Sequence, residues 1–173
     1  MTISVEIINQ LSDNYSYLIS GNKDNSSIII DPAESDKILN VLKKKKLNLN
    51  YIFITHHHSD HTSGVADLVR AYPEVKVFSP SELNSISVNV ISDGNTITTN
   101  LNGFEVIHAP GHTLDHIILF DKKNNLIFVG DVLFRLGCGR VFEGTLEPVS
   151  YTHLRAHETC ADLVCRLLLE KKK

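Results

Sequence analysis

The sequence predicts an α/β fold in which two sheets carry helices on their outer faces, an α+β sandwich. Three observations lead there. Short apolar runs rich in β-branched and aromatic residues, such as Ser27-Ile28-Ile29-Ile30 and Tyr51-Ile52-Phe53-Ile54, recur along the chain and have strand length. Segments with helical spacing separate some of them, at 35–46 and again up to Tyr72. Strands and helices do not alternate strictly, so a single doubly wound parallel sheet is not expected.

Taken in order, Val5 to Ile8 begins a strand, Asp13-Asn14 turns the chain, and Tyr15 to Ile19 alternates in strand fashion. Gly21 to Asn25 is a hairpin turn, and the third strand, Ser27 to Ile30, ends at Asp31-Pro32. Ser35 to Lys46 reads as a helix with Ile38, Leu39, Val41 and Leu42 on its apolar side. Its Lys43 to Lys46 run suits a solvated helix end, where the helix dipole favours positive charge. Tyr51 to Ile54 is a buried strand, followed by a loop and a helix that Pro73 stops. Val75 to Phe78 is a short strand, and Ser81 to Asn89 fits no single pattern. Asp93-Gly94 is a turn. Ile97 to Asn100 and Phe104 to His108 form a strand pair around Asn102-Gly103. Ile117 to Phe120 and Leu126 to Val129 are strands joined through 121–125.

Composition narrows the function. The chain has 173 residues, 42% hydrophobic and 21% charged, enough for one domain with a real core. A formal net charge of −3 argues against nucleic acid as a partner. The N-terminus lacks the basic and apolar regions of a signal peptide, and no apolar run reaches membrane-spanning length. Cys138, Cys160 and Cys165 make no disulfide framework. A cytoplasmic, monomeric enzyme is the expectation.

The chemistry concentrates in 54–64, Ile-Thr-His-His-His-Ser-Asp-His-Thr-Ser-Gly. His56, His58, Asp60 and His61 are metal-ligand types placed where a strand hands over to a helix. Alternate residues of an extended segment point the same way, so His56 and His58 can share one metal while His57 points elsewhere. Asp60 and His61 lie a turn further on and can reach a second. Imidazole and carboxylate without thiolate suit zinc, with iron or manganese as alternatives. His112 and Asp131 each follow a strand and sit in a glycine-flanked turn, where the backbone can approach a metal closely. His108 reads as a strand residue, and His116 as a core or supporting one.

His-x-His-x-Asp-His after an apolar strand resembles the signature of the metallo-β-lactamase αββα fold. The resemblance implies that His112 is the third histidine of the first metal, beside His56 and His58. It implies that Asp131 bridges to a second metal held by Asp60 and His61. Two divalent ions, zinc first, are therefore expected, with Asp60 and Asp131 as the catalytic carboxylates.

Gly130 to Phe134, Gly137 to Thr145, Asp13-Asn14-Tyr15 and Asp31-Pro32 resemble the glyoxalase II family, the hydroxyacylglutathione hydrolases. That resemblance covers 1–147 and implies hydrolysis of S-lactoylglutathione to lactate and glutathione by a hydroxide bridging the two metals. Arg140 matches a basic position near the glutathione moiety, and Phe142 one often held by tyrosine. Cys138, between glycines, reads as a turn residue rather than a nucleophile. A persulfide dioxygenase of the same fold with one iron is the alternative enzyme, and a truncated, non-catalytic metal-binding fragment the alternative of another class.

Residues 148–173 do not continue this likeness. Val149 to Glu158 resembles one reading frame of a transposase-type sequencing adapter, and Leu163 to Lys171 one frame of a flow-cell adapter, with an index-length gap between. A domain at 1–147 and a non-native tail at 148–173 are expected. On that reading His153, His157, Cys160 and Cys165 carry no chemistry. The fold is then incomplete at its C-terminus, lacking a last histidine of the second metal and the region covering glutathione. This chain is expected to hold at most one metal tightly and to be inactive, whereas the intact gene product is a thioester hydrolase.

Overall fold

A computed structural model describes residues 2–22, 24–134 and 139–143. The described residues divide into two units, one of those up to Val90 with 99–101, the other of 91–98 and those from Asn102 to Glu143.

The first unit is built on a six-stranded sheet in sequence order, β1 (Ile3–Gln10), β2 (Asn14–Gly21), β3 (Ser26–Ile30), β4 (Asn48–Phe53), β5 (Lys76–Ser79) and β6 (Asn89–Val90). β1, β2 and β3 run antiparallel; β3 to β6 run parallel. Parallel neighbours need a crossover, and helix α1 (Ser35–Lys45) supplies it between β3 and β4. The short α2 (Ser59–Thr62) and α3 (Val65–Ala71) serve between β4 and β5. Ile28, Ile29 and Ile30 are all buried, the unbroken apolar run that a strand enclosed on both faces requires. Ile38 and Leu42 of α1 pack into the same core as Ile29, Ile52, Ile54, Val65 and Leu68. Leu39 and Val41, expected on the same apolar side, are only half-buried at its edge. α1 stops where Lys46 takes the left-handed conformation (φ 55°), its N–H bonding the carbonyls of Leu42 and Lys43.

The helix expected after the ligand loop is α3, and the expected loop itself contains the short helix α2. The chain turns at Ser63-Gly64 between α2 and α3, so Asp60 and His61 stand on a helical turn rather than in a loop. The ambiguous 81–89 stretch holds an isolated bridge between Leu83 and Ile86 and then enters β6.

Glu34 ties the β1–β2 turn to the start of α1. Its Oε2 accepts the Leu11 N–H at 2.9 Å and pairs with Lys37 Nζ at 2.9 Å, while its own N–H donates to Gln10 Oε1 at 2.8 Å. The bond from Lys37, then that from Leu11, holds the Glu34 carboxyl below its ordinary value of 4.5. A carboxyl depressed in the folded state stabilises above its unfolded pKa and stops doing so as pH falls through the folded one. Glu34→Gln should therefore melt below wild type at neutral pH, with the gap closing below about pH 4.5. Equal melting curves at pH 7, or a gap that persists at pH 2, would refute the tie.

The second unit is a four-stranded antiparallel sheet, ordered β10 (Leu126–Phe128), β9 (Ile117–Asp121), β8 (Gly103–His108), β7 (Thr96–Thr98). β9 is buried along its whole length, and Ile118 packs with Ala109, Val129 and Val132. Asp121 ends β9 fully buried, where its carboxylate accepts the side-chain amides of Asn102 and Asn124 and the Asn124 N–H. Three donors satisfy a charge that burial would otherwise penalise. Among the described residues no helix is long and apolar enough to cross a membrane.

Candidate metal centre

In the first unit the register of β3 against β4 builds the site. Ile30 pairs with Phe53, so the residues following the two strands, Asp31 and 54–56, leave the sheet side by side. Asp31 N–H donates to the Phe53 carbonyl at 3.0 Å, and Thr55 N–H donates to Asp31 Oδ1 at 2.8 Å. Thr55 Oγ1 donates to Asp31 Oδ2 at 2.8 Å and lies 3.0 Å from His56 Nδ1. Threonine has one hydroxyl proton, already given to a carboxylate that can only accept. The proton between Thr55 and His56 therefore belongs to His56 Nδ1, which makes His56 Nε2 the lone-pair nitrogen. That nitrogen faces His58 Nδ1 at 3.1 Å. Two ligands of a tetrahedral zinc, each about 2.0 Å from the ion, are about 3.3 Å apart. His56 is fully buried, His58 half-buried, and His57 exposed.

Asp60 and His61 form a second such pair. His61 Nδ1 lies 3.1 Å from Asp31 Oδ2. His61 Nε2 lies 3.6 Å from Asp60 Oδ2. Asn14 donates its side-chain amide to the same Asp60 oxygen at 2.7 Å, fixing the carboxylate's orientation.

In the second unit His112 and Asp131 come together. Each follows a glycine whose backbone an L side chain rarely adopts, Gly111 (φ 147°) and Gly130 (φ 50°), which lets each turn bend sharply beside its donor. His112 Nδ1 lies 2.9 Å from the Arg140 carbonyl, an acceptor only, so Nδ1 carries the proton. His112 Nε2 thus faces Asp131 Oδ2, at 3.5 Å, with its lone pair. The Asp131 N–H donates to His116 Nε2 at 3.1 Å, which holds the aspartate's backbone in place. His108 ends β8, its N–H donating to Asp93 and its Nε2 beside the Leu114 carbonyl.

The segment 139–143 is tied to the His112 turn by the Phe142 N–H on the His112 carbonyl and by Glu143, which accepts the Leu114 N–H. It presents Arg140 and Phe142 to solvent, the guanidinium 5.6 Å from the Phe142 ring centre. Phe142 in turn meets the His112 ring edge-on at 5.2 Å. Cys138 and residues 144–173 lie outside the described residues.

The residues fit a metal. In each of three pairs, His56 with His58, His61 with Asp60 and His112 with Asp131, electron-pair donors face one another at a ligand-to-ligand spacing. In His56 and His112 the opposite nitrogen is held by a protein acceptor, as metal-bound imidazoles usually are. Imidazole and carboxylate donors of this kind form a divalent-metal set. The supporting parts Asn14, Thr55 and Gly139, and the roles of Asp31 and His116, do not follow from sequence spacing. Asp31 beside a strand end and His116, read as a core or supporting residue, were the visible signals, and only the strand register gives Asp31 its partner.

Comparison with known proteins agrees. The family model described as the metallo-beta-lactamase superfamily matches residues 11–159. A hydroxyacylglutathione hydrolase of Pseudoalteromonas translucida is 38% identical over 162 residues, covering 92% of this chain and 62% of that protein. The chain spans 53% and 58% of the length of two further curated relatives of that name. Among solved structures, ETHE1 from Myxococcus xanthus superposes with a TM-score of 0.71 at 26% identity, covering 90% of this chain and 69% of that one. TTHA1623 in a di-iron-bound form does so with a TM-score of 0.72 at 24% identity, covering 90% and 86%. With a match across most of its length and the fold to go with it, the chain belongs to the metallo-beta-lactamase superfamily.

Proposed function

We propose that the protein is a two-metal thioester hydrolase acting on S-acylated glutathione, with S-lactoylglutathione as substrate. His56, His58 and His112 would hold one metal, and Asp60 and His61 the other, with Asp131 between them. Zinc is the first assignment; the di-iron form of one structural neighbour keeps iron in view. The observation that carries the reading is the 38% identity to a hydroxyacylglutathione hydrolase across a chain whose donors stand as facing pairs.

Bound divalent metal supplies water that ionises near neutral pH and a Lewis acid for the carbonyl. The chain's own residues do the rest. Asp31, through Thr55, and the Arg140 carbonyl hold the ring protons of His56 and His112 on the side away from the ligating nitrogens. Asn14 aims Asp60, and His116 anchors the Asp131 backbone. Arg140, steadied over Phe142, offers an exposed cation for a glutathione carboxylate beside His112. The thiolate leaving group needs little acid assistance, so no further proton donor is assigned.

The test is a pair of assays on metal-loaded protein, thioester loss from S-lactoylglutathione and oxygen uptake with glutathione persulfide. Each is run on the 173-residue chain and on a chain extended to the length of its relatives. Thioester hydrolysis by the extended chain, weak or absent in the short one, is expected. Oxygen uptake instead would favour the one-iron dioxygenase, and neither activity a non-catalytic metal binder.

A further inference from the structure

We infer that Glu143 is a positioning residue for substrate: its carboxylate latches residues 139–143, with Arg140 and Phe142, onto the turn that carries His112. It rests on the placing of the glutathione moiety beside Arg140 and Phe142 under the proposed function.

All the residues concerned lie in the second unit. The turn from Ala109 to His116 braces itself. The Ala109 N–H donates to the His116 carbonyl at 2.8 Å, and the Gly111 N–H to the Thr113 carbonyl at 3.0 Å. The Thr113 hydroxyl donates to Asp115 at 2.6 Å. His108 Nε2 lies 2.8 Å from the Leu114 carbonyl, which can only accept, so the ring donates there. Residues 139–143, by contrast, belong to no strand or helix. Their position depends on bonds to that turn.

Two of those bonds converge on one residue. The Arg140 carbonyl takes the His112 Nδ1–H at 2.9 Å, and the Phe142 N–H reaches the His112 carbonyl at 3.3 Å. Anchors at a single residue leave the segment free to pivot about it. Glu143 supplies an anchor on a different residue, its Oε2 accepting the Leu114 N–H at 2.7 Å. A carboxylate acceptor makes this the strongest of the three, and it is also the shortest. With the pivot stopped, Phe142 keeps its edge-on contact with His112, and the Arg140 guanidinium stays 5.6 Å from the Phe142 ring centre. The same bond fixes the Leu114 backbone. Leu114 is 57% and Phe142 59% exposed, the two exposed large apolar side chains of this unit among the described residues. Glu143 thus joins an apolar rim to an exposed cation. That combination suits S-acylated glutathione, which carries carboxylates and a short apolar thioester arm.

Conservative substitutions separate the bond from the charge. Glutamine keeps an acceptor oxygen at the same reach. Aspartate keeps the charge but is one methylene shorter and falls short of the Leu114 N–H. Alanine removes both.

The first readout is hydrogen exchange at the Leu114 amide, by NMR on the metal-free 173-residue chain labelled with 15N. Protection is expected in wild type and Glu143→Gln, and its loss in Glu143→Ala and Glu143→Asp. The second is binding of S-methylglutathione, a thioether with no thioester to hydrolyse, to the extended chain without metal. Its affinity should fall about tenfold in Glu143→Ala and Glu143→Asp and recover in Glu143→Gln. With metal loaded, KM for S-lactoylglutathione should rise by a like factor, while kcat and zinc affinity stay near wild type. Protection of Leu114 that persists in a folded Glu143→Ala overturns the latch. Wild-type thioether binding by that variant overturns the positioning role and leaves the glutathione reading standing. A fall in kcat or zinc affinity with KM unmoved also overturns it, since Glu143 would then act through His112. No thioether binding by wild type sinks the glutathione reading, and this proposal with it. Should Glu143→Ala not fold, Glu143→Asp carries the same outcomes.

Discussion

Replacing Asp131 with asparagine is expected to cut kcat for thioester hydrolysis by orders of magnitude while leaving the melting curve near wild type. Asp131 is 6% exposed, and its Oδ2 lies 3.5 Å from the lone-pair nitrogen of His112. The backbone contact that places it, its N–H on His116 Nε2, does not involve the carboxylate. The substitution therefore removes charge and leaves the turn standing. An amide offers a neutral oxygen where a bridging role asks for the negative charge of a carboxylate. The loss should exceed the roughly 10–100-fold typical of removing an outer partner. Kinetics on the extended chain with metal counted per protein is the measurement. Near-wild-type turnover with two metals bound would exclude the bridging role.

Gly139→Ala should have the second-largest effect, with no proposed ligand replaced. A Cβ there would lie 2.0 Å from the Asp131 carbonyl oxygen and 2.9 Å from His112 Nδ1. The first of these is backbone and cannot rotate away, so residues 139–143 must lift. That breaks the His112–Arg140 bond which fixes the ring's proton, and it carries off Arg140 and Phe142. Zinc affinity should fall about 10–100-fold, since His112 loses its outer partner. Overpacking should cost about 1–3 kcal/mol of stability. Gly103→Ala is the control, because its Cβ would find nothing nearer than the Ile97 carbonyl at 3.9 Å. Equal zinc affinity for Gly139→Ala and Gly103→Ala would show that the close approach does not matter.

The sequence alone determined the class of fold and put forward the candidate donors. β-Branched runs such as Ile28-Ile29-Ile30 have little choice but to be strands, and Ile38 and Leu42 recur at helical spacing, so local periodicity announces both. His56, His58, Asp60 and His61 were legible because they sit within one turn of chain, and no other common motif groups those residue types. The resemblance added His112 and Asp131, which lie far along the chain and share nothing with the first group in local pattern. The short helix α2, which put Asp60 and His61 on a helical turn, was not legible, because Ser59 to Gly64 carries no apolar residue to mark a helical period.

Tertiary structure decided where the protons go. Whether a histidine is a ligand depends on which ring nitrogen is bare, and that depends on the group behind it. For His56 the group behind is Asp31, 25 residues away in sequence and reached through Thr55; for His112 it is the carbonyl of Arg140, with |i−j| of 28. Such pairings follow from strand register and from one glycine's close approach. A residue's own neighbours do not specify them, because hydrogen bonds depend on distance in space and leave no period in the sequence.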